Sequence, residues 1–188
     1  MSEPYYVKRR RFLQWGLAGC ASLAALRVRA DEPSPSASVA ERWLEMYNGH
    51  TGETLALPYR DGSGLRSDAL DRFSWLLRDF RAQQQHPIDP ALYDILADLA
   101  AAAGAEPRFE IISGYRSPQT NEMLAEAGHG VALHSMHLQG RAIDLRLRGV
   151  GCDRVRDLAL SLQRGGVGYY RSSDFVHVDT GRIRTWNG

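Results

Sequence analysis

The stretch from His134 to Asp144 gathers side chains that can bind a metal ion, and its sequence is HSMHLQGRAID. His137 is expected on a loop, because Gly140 just after it permits a tight turn. Asp144 lies within the apolar strand predicted to follow. A carboxylate in such a strand needs a partner, since an unpaired buried charge is costly. Imidazole and carboxylate are suitable zinc ligands, so His137 and Asp144 are predicted to hold a metal.

A third ligand is predicted at His177, in the short apolar strand predicted over residues 175–179. Three protein ligands leave the fourth tetrahedral position for water, which is typical of a catalytic rather than a structural zinc. Such a metal lowers the pKa of its water from 15.7 towards about 7 and polarises a carbonyl group. The residues alone leave a second interpretation open, in which His137 and Asp144 satisfy each other and His177 is a core histidine.

The other histidines and the cysteines are predicted to take no part in this chemistry. His50, His86 and His129 lie in polar segments beside glycine or proline, which is typical of solvated loops. Cys20 falls in the N-terminal leader described below, so Cys152 has no intramolecular disulfide partner. The glycine and aspartate that flank Cys152 predict a helix start there rather than a nucleophile.

The first half of the body is predicted to form a hairpin and two helices. Weak alternation over residues 54–59, followed by the turn sequence DGSG at 61–64, predicts a small hairpin. Apolar residues three and four apart predict a helix from Ser67 or Asp68 to about residue 85. A second helix is predicted over residues 89–103, with an aspartate cap before a proline and a glycine stop.

The second half is predicted to interleave short strands with helices. Strands are expected over residues 108–113, 142–147 and 175–179, and helices over residues 117–127 and 153–163. Helices that precede and interrupt short strands favour an α+β fold, with a small antiparallel sheet packed against helices.

Residues 1–30 are predicted to be an export signal. They carry six positive charges and one negative charge, whereas residues 31–188 carry 17 positive and 21 negative charges. Adjacent arginines lead into an apolar stretch over residues 12–26, which is shorter than the about 20 residues that span a bilayer. The stretch ends in an A-x-A-like cleavage sequence at Ala30. Because paired arginines followed by Phe-Leu are typical of a twin-arginine signal, we expect that export machinery as a partner and the periplasm as the location.

An alternative end of the leader is the sequence LAGC at residues 17–20, which resembles a lipoprotein cleavage box. A lipidated Cys20 would tether the protein to a membrane. The apolar region before Cys20 is short and apolar sequence continues beyond it, which favours cleavage after Ala30 instead.

Behind the leader, residues 31–47 are predicted to be a linker, rich in proline and serine up to residue 41, and residues 48–188 the functional domain. The mildly acidic body disfavours nucleic-acid binding, which requires positive charge on the folded part. No transmembrane span is predicted in the mature protein.

The metal-binding stretch resembles a known signature. Ser135, His137, Gly140, Ala142 and Asp144 match S-x-H-x-x-G-x-A-x-D of the zinc peptidases that cut bacterial cell-wall peptides. That superfamily includes D-Ala-D-Ala carboxypeptidases and L-Ala-D-Glu peptidases, and its fold is shared with hedgehog domains. Three further segments narrow the resemblance to the murein endopeptidase K family: HTGE at 50–53, ISGYRSPQTN at 112–121 and GGVGYY at 165–170, running on to FVHVDTG at 175–181.

The resemblance implies roles for individual residues. It implies zinc on His137, Asp144 and His177, and an oxyanion-stabilising role for Arg116. A predicted helix N-terminus immediately after Arg116 supports that role, since it favours negative charge. The alternative is that Arg116 pairs with a surface acid.

Substrate contacts and the general base are further implications. Ser135, His134 and Tyr115 are expected to contact the substrate. Asp174, three residues before the last ligand, is the preferred base, although strand alternation starts it on the face opposite His177. Asp179 is either the base or the group that orients His177.

The resemblance implies a periplasmic zinc endopeptidase that hydrolyses diaminopimelate-containing peptide cross-links of peptidoglycan. One alternative is a D,D-carboxypeptidase that trims stem pentapeptides. The other is a non-catalytic, zinc-containing domain that binds the cell wall.

Overall fold

One mixed sheet of eight strands organises the molecule, in the order β3-β2-β1-β4-β5-β7-β6-β8. The computed structural model describes residues 40–127, 132 and 134–188. The predicted export signal, both cleavage sequences and His129 lie outside the described residues. The strands are β1 (Arg42–Asn48), β2 (Thr54–Asp61), β3 (Gly64–Leu65), β4 (Arg108–Ser113), β5 (Ala142–Leu147), β6 (Gly166–Tyr170), β7 (Phe175–Asp179) and β8 (Arg184–Asn187). The helices are α1 (Ser67–Leu76), α2 (Pro90–Ala103), α3 (Pro118–Glu126) and α4 (Cys152–Leu162), with a 3-10 helix over Met136–Gln139.

The sheet confirms the predicted α+β class and extends it. The pairs β1–β4 and β6–β8 are parallel, and the other five neighbouring pairs are antiparallel. β4, β5 and β7 have the bounds expected from the sequence. The hairpin predicted before residue 65 is formed by β2 and β3.

The C-terminal part of the predicted linker belongs to the sheet instead. Residues 42–48 form β1, which lies between β2 and β4. Leu44, Met46 and Asn48 are buried along one face, whereas Trp43, Glu45 and Tyr47 on the other face are partly exposed. The two aromatic residues on that face hide the alternation of a half-buried strand in the sequence.

The helical core covers one face of the sheet. Ile143, Leu145 and Leu147 of β5 join the core cluster together with buried residues of α1, α2 and α4. Since successive strand side chains point to opposite faces, Asp144 lies on the other face. That second face carries the candidate site.

α1 ends at Leu76, about nine residues earlier than predicted. The chain turns there into a short hairpin, in which Asp79 and Gln84 exchange backbone hydrogen bonds. The Asp79 carboxylate accepts the backbone N–H groups of Arg81 and Ala82, at 3.0 and 3.2 Å. A local side-chain acceptor of this kind competes with helix formation, and this hairpin (79–84) lies beside the candidate site.

The other helices have the expected ends. Asp89 caps α2 through the N–H of Ala91, and Gly104 ends it at a φ of 66°. Ser117 accepts the N–H of Thr120 at the start of α3. α4 begins at Cys152, where burial raises the pKa of the thiol to about 11 and disfavours a thiolate nucleophile. None of the helices among the described residues is long and apolar enough to cross a membrane.

Candidate active site

His137, Asp144 and His177 converge on the open face of the sheet. His137 lies on the 3-10 helix, while Asp144 on β5 and His177 on β7 are direct partners in an antiparallel ladder. One potential ligand atom from each of the three residues lies within 4.8 Å of those of the other two. The residues are 1%, 3% and 6% exposed, respectively. This convergence was predicted, and no fourth histidine, cysteine or acidic residue joins the cluster within the described part of the chain.

The hydrogen bonds of both imidazoles fix which nitrogen faces the cluster. Nδ1–H of His137 donates to the carbonyl of Gly114 at 2.6 Å, so its Nε2 presents a lone pair. Nε2–H of His177 donates to Asp179 Oδ2 at 3.1 Å, so its Nδ1 presents a lone pair.

Three acceptors therefore meet at close range. His137 Nε2 lies 3.2 Å from both Asp144 Oδ1 and His177 Nδ1, and the latter two atoms are 2.8 Å apart. Acceptor atoms at these distances repel one another unless a proton or a metal cation lies between them. Zinc bonds of about 2.0–2.2 Å in a tetrahedral site separate ligands by about 3.3 Å, so the donor set and its spacing fit a divalent metal.

The pKa directions describe the same cluster. Burial lowers the pKa of His137, which favours the neutral form that binds metals. Burial opposes ionisation of Asp144, but His137 and His177 outweigh it and hold the pKa of Asp144 well below its usual value. Burial also acts against a charged His177, yet the protonated ring can donate to both Asp144 and Asp179, and this raises its pKa. The site is thus built to hold one positive charge next to an ionised carboxylate.

Arg116 lies directly beside this cluster. Its Nη2–H donates to Asp144 Oδ2 at 2.7 Å, and its Nε–H donates to Ser113 Oγ at 3.0 Å. Its partner is thus the Asp144 oxygen that faces away from the two imidazoles, not a surface acid. The backbone N–H of Arg116 donates to the carbonyl of His137 at 3.2 Å, which ties its loop to the 3-10 helix.

An ion pair between buried Asp179 and partly exposed Arg184 supports His177 from behind. Asp179 is 1% exposed, and its Oδ2 also accepts Nη2–H of Arg184 at 2.6 Å. Its Oδ1 accepts the backbone N–H groups of Gly166 and Gly181, at 3.0 and 2.8 Å. Against the effect of burial, the hydrogen bonds from His177 and Arg184 lower the pKa of Asp179. Every oxygen of this carboxylate is engaged, which suits it to orient His177.

Asp174 lies apart from the cluster. Its side chain is 72% exposed, and Oδ2 is 3.8 Å from Nε of Arg146. Its positive φ of 52° turns the chain just before β7. Its neighbour Ser173 lines the cavity described below, but Asp174 itself does not. The structure therefore places the preferred general base outside the site.

Tyr115 also differs from its expected role as a substrate contact. The residue is 9% exposed and belongs to the hydrophobic core cluster, with its ring stacked on His86 at 4.8 Å. Its backbone N–H donates to the carbonyl of Leu77. The neighbouring Arg116 faces the opposite way, because adjacent residues of an extended segment point to opposite sides.

A cavity of about 630 Å³ opens over the cluster, and we call it the cleft. His134 and Ser135 line it, as expected for substrate contacts, and Ser135 also accepts the N–H of His137 to start the 3-10 helix. Further residues line the cleft without having been predicted: His50, Arg81, Ile112, Tyr170, Phe175, Arg184 and Trp186.

An aromatic wall forms one part of the cleft. Tyr170 stacks on Phe175 at 4.5 Å, and its hydroxyl accepts Nε1–H of Trp186 at 3.0 Å. The Trp186 ring lies 5.0 Å from that of His177. Gly168 makes room for this ring, since a Cβ there would lie 2.5 Å from Trp186 Cε2. The GGVGYY segment contributed to the family resemblance. The sequence did not reveal that β6 pairs with β8, although this pairing builds the wall.

Comparison with known proteins agrees with this geometry. The family model described as peptidoglycan L,D-endopeptidase MepK, of the M15 peptidases, matches residues 36–186. Peptidoglycan L,D-endopeptidase MepK of Escherichia coli (strain K12) is 37% identical over 188 residues, which cover 98% of this chain and 100% of the relative. The Haemophilus influenzae protein named "Probable peptidoglycan L,D-endopeptidase MepK" is 41% identical over 148 residues, which cover 78% of this chain and 80% of the relative. The chain therefore belongs to the MepK family of M15 peptidases.

Proposed function

We propose that the protein is a zinc-dependent endopeptidase that hydrolyses peptide cross-links of peptidoglycan. The observation that carries the proposal is the meeting of three buried lone-pair donors at 2.8–3.2 Å on the floor of an open cleft. Membership of the MepK family supports peptidoglycan as the substrate. The relatives are named as L,D-endopeptidases of peptidoglycan, and we extend that activity to linkages at diaminopimelate in this chain.

The three ligands would be His137 through Nε2, Asp144 through Oδ1 and His177 through Nδ1. When bound, zinc supplies Lewis acidity and lowers the pKa of a coordinated water. Arg116 restrains Asp144 through its second oxygen and presents a permanent positive charge to the cleft. That charge is placed to stabilise the oxyanion formed as the substrate amide is attacked.

Asp179 has the role of a positioning residue. It holds the His177 ring so that Nδ1 faces the cluster, and Arg184 keeps the carboxylate ionised and in place. Asp174 can serve as the base only if its turn rotates towards the cleft, because its carboxylate now faces Arg146 and solvent. His134 and Ser135 are placed to contact the peptide.

The cleft favours an extended peptide as the substrate. It is open to solvent above a polar floor, and an aromatic wall of three rings lies along one part. Aromatic rings bury apolar surface while their polar atoms remain available for hydrogen bonds. This combination suits a peptide that carries both alkyl and charged groups.

Purified sacculi and defined cross-linked muropeptide dimers test the proposal. The zinc-loaded protein should convert dimers to monomers, and a chelator or Asp144→Asn should abolish the conversion. Asp157→Asn is the matched control, because Asp157 is an exposed acid on α4 away from the cleft. Conversion that survives metal removal would refute zinc dependence, and release of terminal D-Ala from uncross-linked pentapeptide would indicate a carboxypeptidase instead.

Export to the periplasm is a separate part of the proposal. The leader over residues 1–30 supports it, with cleavage after Ala30 preferred to lipidation at Cys20. Mass spectrometry of the mature N-terminus should give a chain that begins at residue 31. A lipidated Cys20 at the N-terminus would establish a membrane tether instead.

A further inference from the structure

Three arginine side chains line the cleft, and two of them already have carboxylate partners. Arg116 pairs with Asp144 at 2.7 Å, and Arg184 pairs with Asp179 at 2.6 Å. The third, Arg81, has no acidic partner within 4.0 Å among the described residues, and the segments 128–131 and 133 contain no acid. The cleft therefore presents one guanidinium group whose charge no described carboxylate balances.

Arg81 is an exposed residue, but an aromatic contact holds its guanidinium group in a defined place. Its guanidinium carbon lies 4.3 Å from the centroid of the Phe80 ring, and that ring stacks on His50 at 4.3 Å. His50 is anchored in turn, with Nε2 3.1 Å from the carbonyl oxygen of Ile112. A guanidinium that lies over an aromatic ring keeps its N–H edge available for a planar partner.

The backbone beneath Arg81 is fixed as well. Asp79 accepts its N–H through Oδ1 and holds Ser117 through Oδ2, at 2.8 Å to the N–H and 2.7 Å to the hydroxyl. The buried Asp79 carboxylate thus joins two parts of the chain. It connects the hairpin that carries Arg81 with Ser117, which follows Arg116 at the start of α3. The distance between Arg81 and the metal-binding cluster is set by this connection.

We propose that Arg81 binds a carboxylate of the peptide substrate and selects for peptides that bear one away from the scissile amide. The inference rests on the proposed peptidase function. A diaminopimelate residue has two carboxyl groups, and a peptide chain uses one of them in its backbone. The free carboxylate matches a guanidinium fork, whose paired N–H groups bind both oxygens.

The test compares two substrates on three forms of the zinc-loaded protein. One dimer carries the free diaminopimelate carboxylate, and the other carries the carboxamide at that position. Arg81→Ala should lower kcat/KM for the carboxylate dimer by about 10- to 100-fold, mainly through KM, since a hydrogen bond to a charged group is lost. Amidation should lower kcat/KM of the wild type similarly and leave Arg81→Ala almost unaffected. Arg154→Ala is the control, because Arg154 is an exposed arginine on α4. This variant should respond to amidation as the wild type does.

Arg81→Lys separates charge from geometry. It retains the positive charge but loses the planar fork, so we expect a KM between those of the wild type and Arg81→Ala. If Arg81→Ala lowers kcat/KM equally for both dimers, the proposal is overturned. Arg81 would then only pack against the Phe80 ring. Thermal unfolding of each variant shows whether the hairpin remains folded.

Binding measurements keep the inference independent of turnover. Calorimetric titration of the chelator-treated protein with each dimer should show tighter binding of the carboxylate form, and Arg81→Ala should abolish the difference. If the wild type cleaves neither dimer but retains this preference, the peptidase proposal fails and the carboxylate site stands. If it cleaves both dimers without preference, the carboxylate site fails and the peptidase proposal stands.

Discussion

Oδ2 of Asp179 lies 3.1 Å from Nε2 of His177, two residues earlier on the same strand. Both side chains are on the open face of β7, so a flat strand brings the carboxylate directly behind the imidazole. The contact leaves Nδ1 of His177 facing Asp144 at 2.8 Å. The tautomer of a predicted metal ligand is therefore set by a buried group that does not itself reach the cluster.

Asp179→Asn should weaken zinc binding by about 10- to 100-fold, the usual effect of losing a hydrogen-bond partner of a metal-bound histidine. The neutral amide no longer balances Arg184 or fixes the His177 tautomer. Competition with a chromophoric chelator measures the zinc Kd, and Asp157→Asn serves as the control. An unchanged Kd in Asp179→Asn would show that the ring is oriented by other contacts.

Arg116→Ala should lower kcat by about 10²- to 10³-fold, the loss expected when one oxyanion-stabilising donor is removed. Zinc content should stay near one per chain, because none of the three ligands is changed. Arg116→Lys should recover only part of the rate, since one ammonium group cannot serve Ser113 and Asp144 in the same geometry. Metal analysis beside steady-state kinetics distinguishes these effects, and loss of zinc in Arg116→Ala would assign the residue to metal retention instead.

Asp79→Asn should lower the free energy of unfolding at neutral pH by about 1–3 kcal/mol, because buried N–H and O–H donors lose a charged acceptor. Burial opposes ionisation of Asp79, but hydrogen bonds from Thr120 and Ser117 outweigh it and lower its pKa below the usual range. A carboxyl with a lowered folded-state pKa stabilises the fold above its unfolded-state pKa, and this contribution is lost as pH falls through the folded-state pKa.

The difference between the wild type and Asp79→Asn should therefore be constant near neutral pH and shrink below about pH 4. Urea unfolding of the metal-free protein at several pH values measures it. Asp71→Asn, at an exposed position of α1, should show no such pH-dependent difference. A constant difference down to pH 2 would exclude Asp79 as an ionised anchor.

Gly168→Ala should displace Trp186 and lower stability by about 1–3 kcal/mol, the typical cost of inserting an extra carbon into a packed site. The added Cβ would lie 2.5 Å from Trp186 Cε2, and β6 and β8 are joined at this pair. We also expect a higher KM, since the aromatic wall of the cleft would shift. Thermal unfolding and tryptophan emission measure the displacement, and an unchanged spectrum with wild-type stability would contradict it.

The sequence predicted the elements that carry the metal-binding cluster better than those that build the cleft around it. β5 and β7 are short apolar runs that end in turn residues, so His177 and Asp144 could be placed on strands. β6 and β8 are short and rich in glycine or polar residues, and their pairing depends on a parallel register that local patterns do not reveal.

Residues next to a motif were harder to assign than the motif itself. Tyr115 and Arg116 are neighbours, yet the former enters the core and the latter faces the cleft. Asp174 follows the spacing of an acid before the last ligand, but its left-handed backbone and its contact with Arg146 direct it outward. Arg81 gave no signal in the sequence, because the end of α1 falls earlier than its apolar spacing indicated.

The position of β1 inside the sheet affects when the enzyme can fold during its synthesis. Residues 45–48 pair with residues 108–111, so a strand made early has no parallel neighbour until a much later part of the chain has left the ribosome. Contacts that join distant parts of a chain form late in folding, because a large loop must first close. β4 is also the strand that supports β5 and its aspartate. The cluster also needs His177 on β7, which pairs with β5, so a partly synthesised chain has no assembled centre.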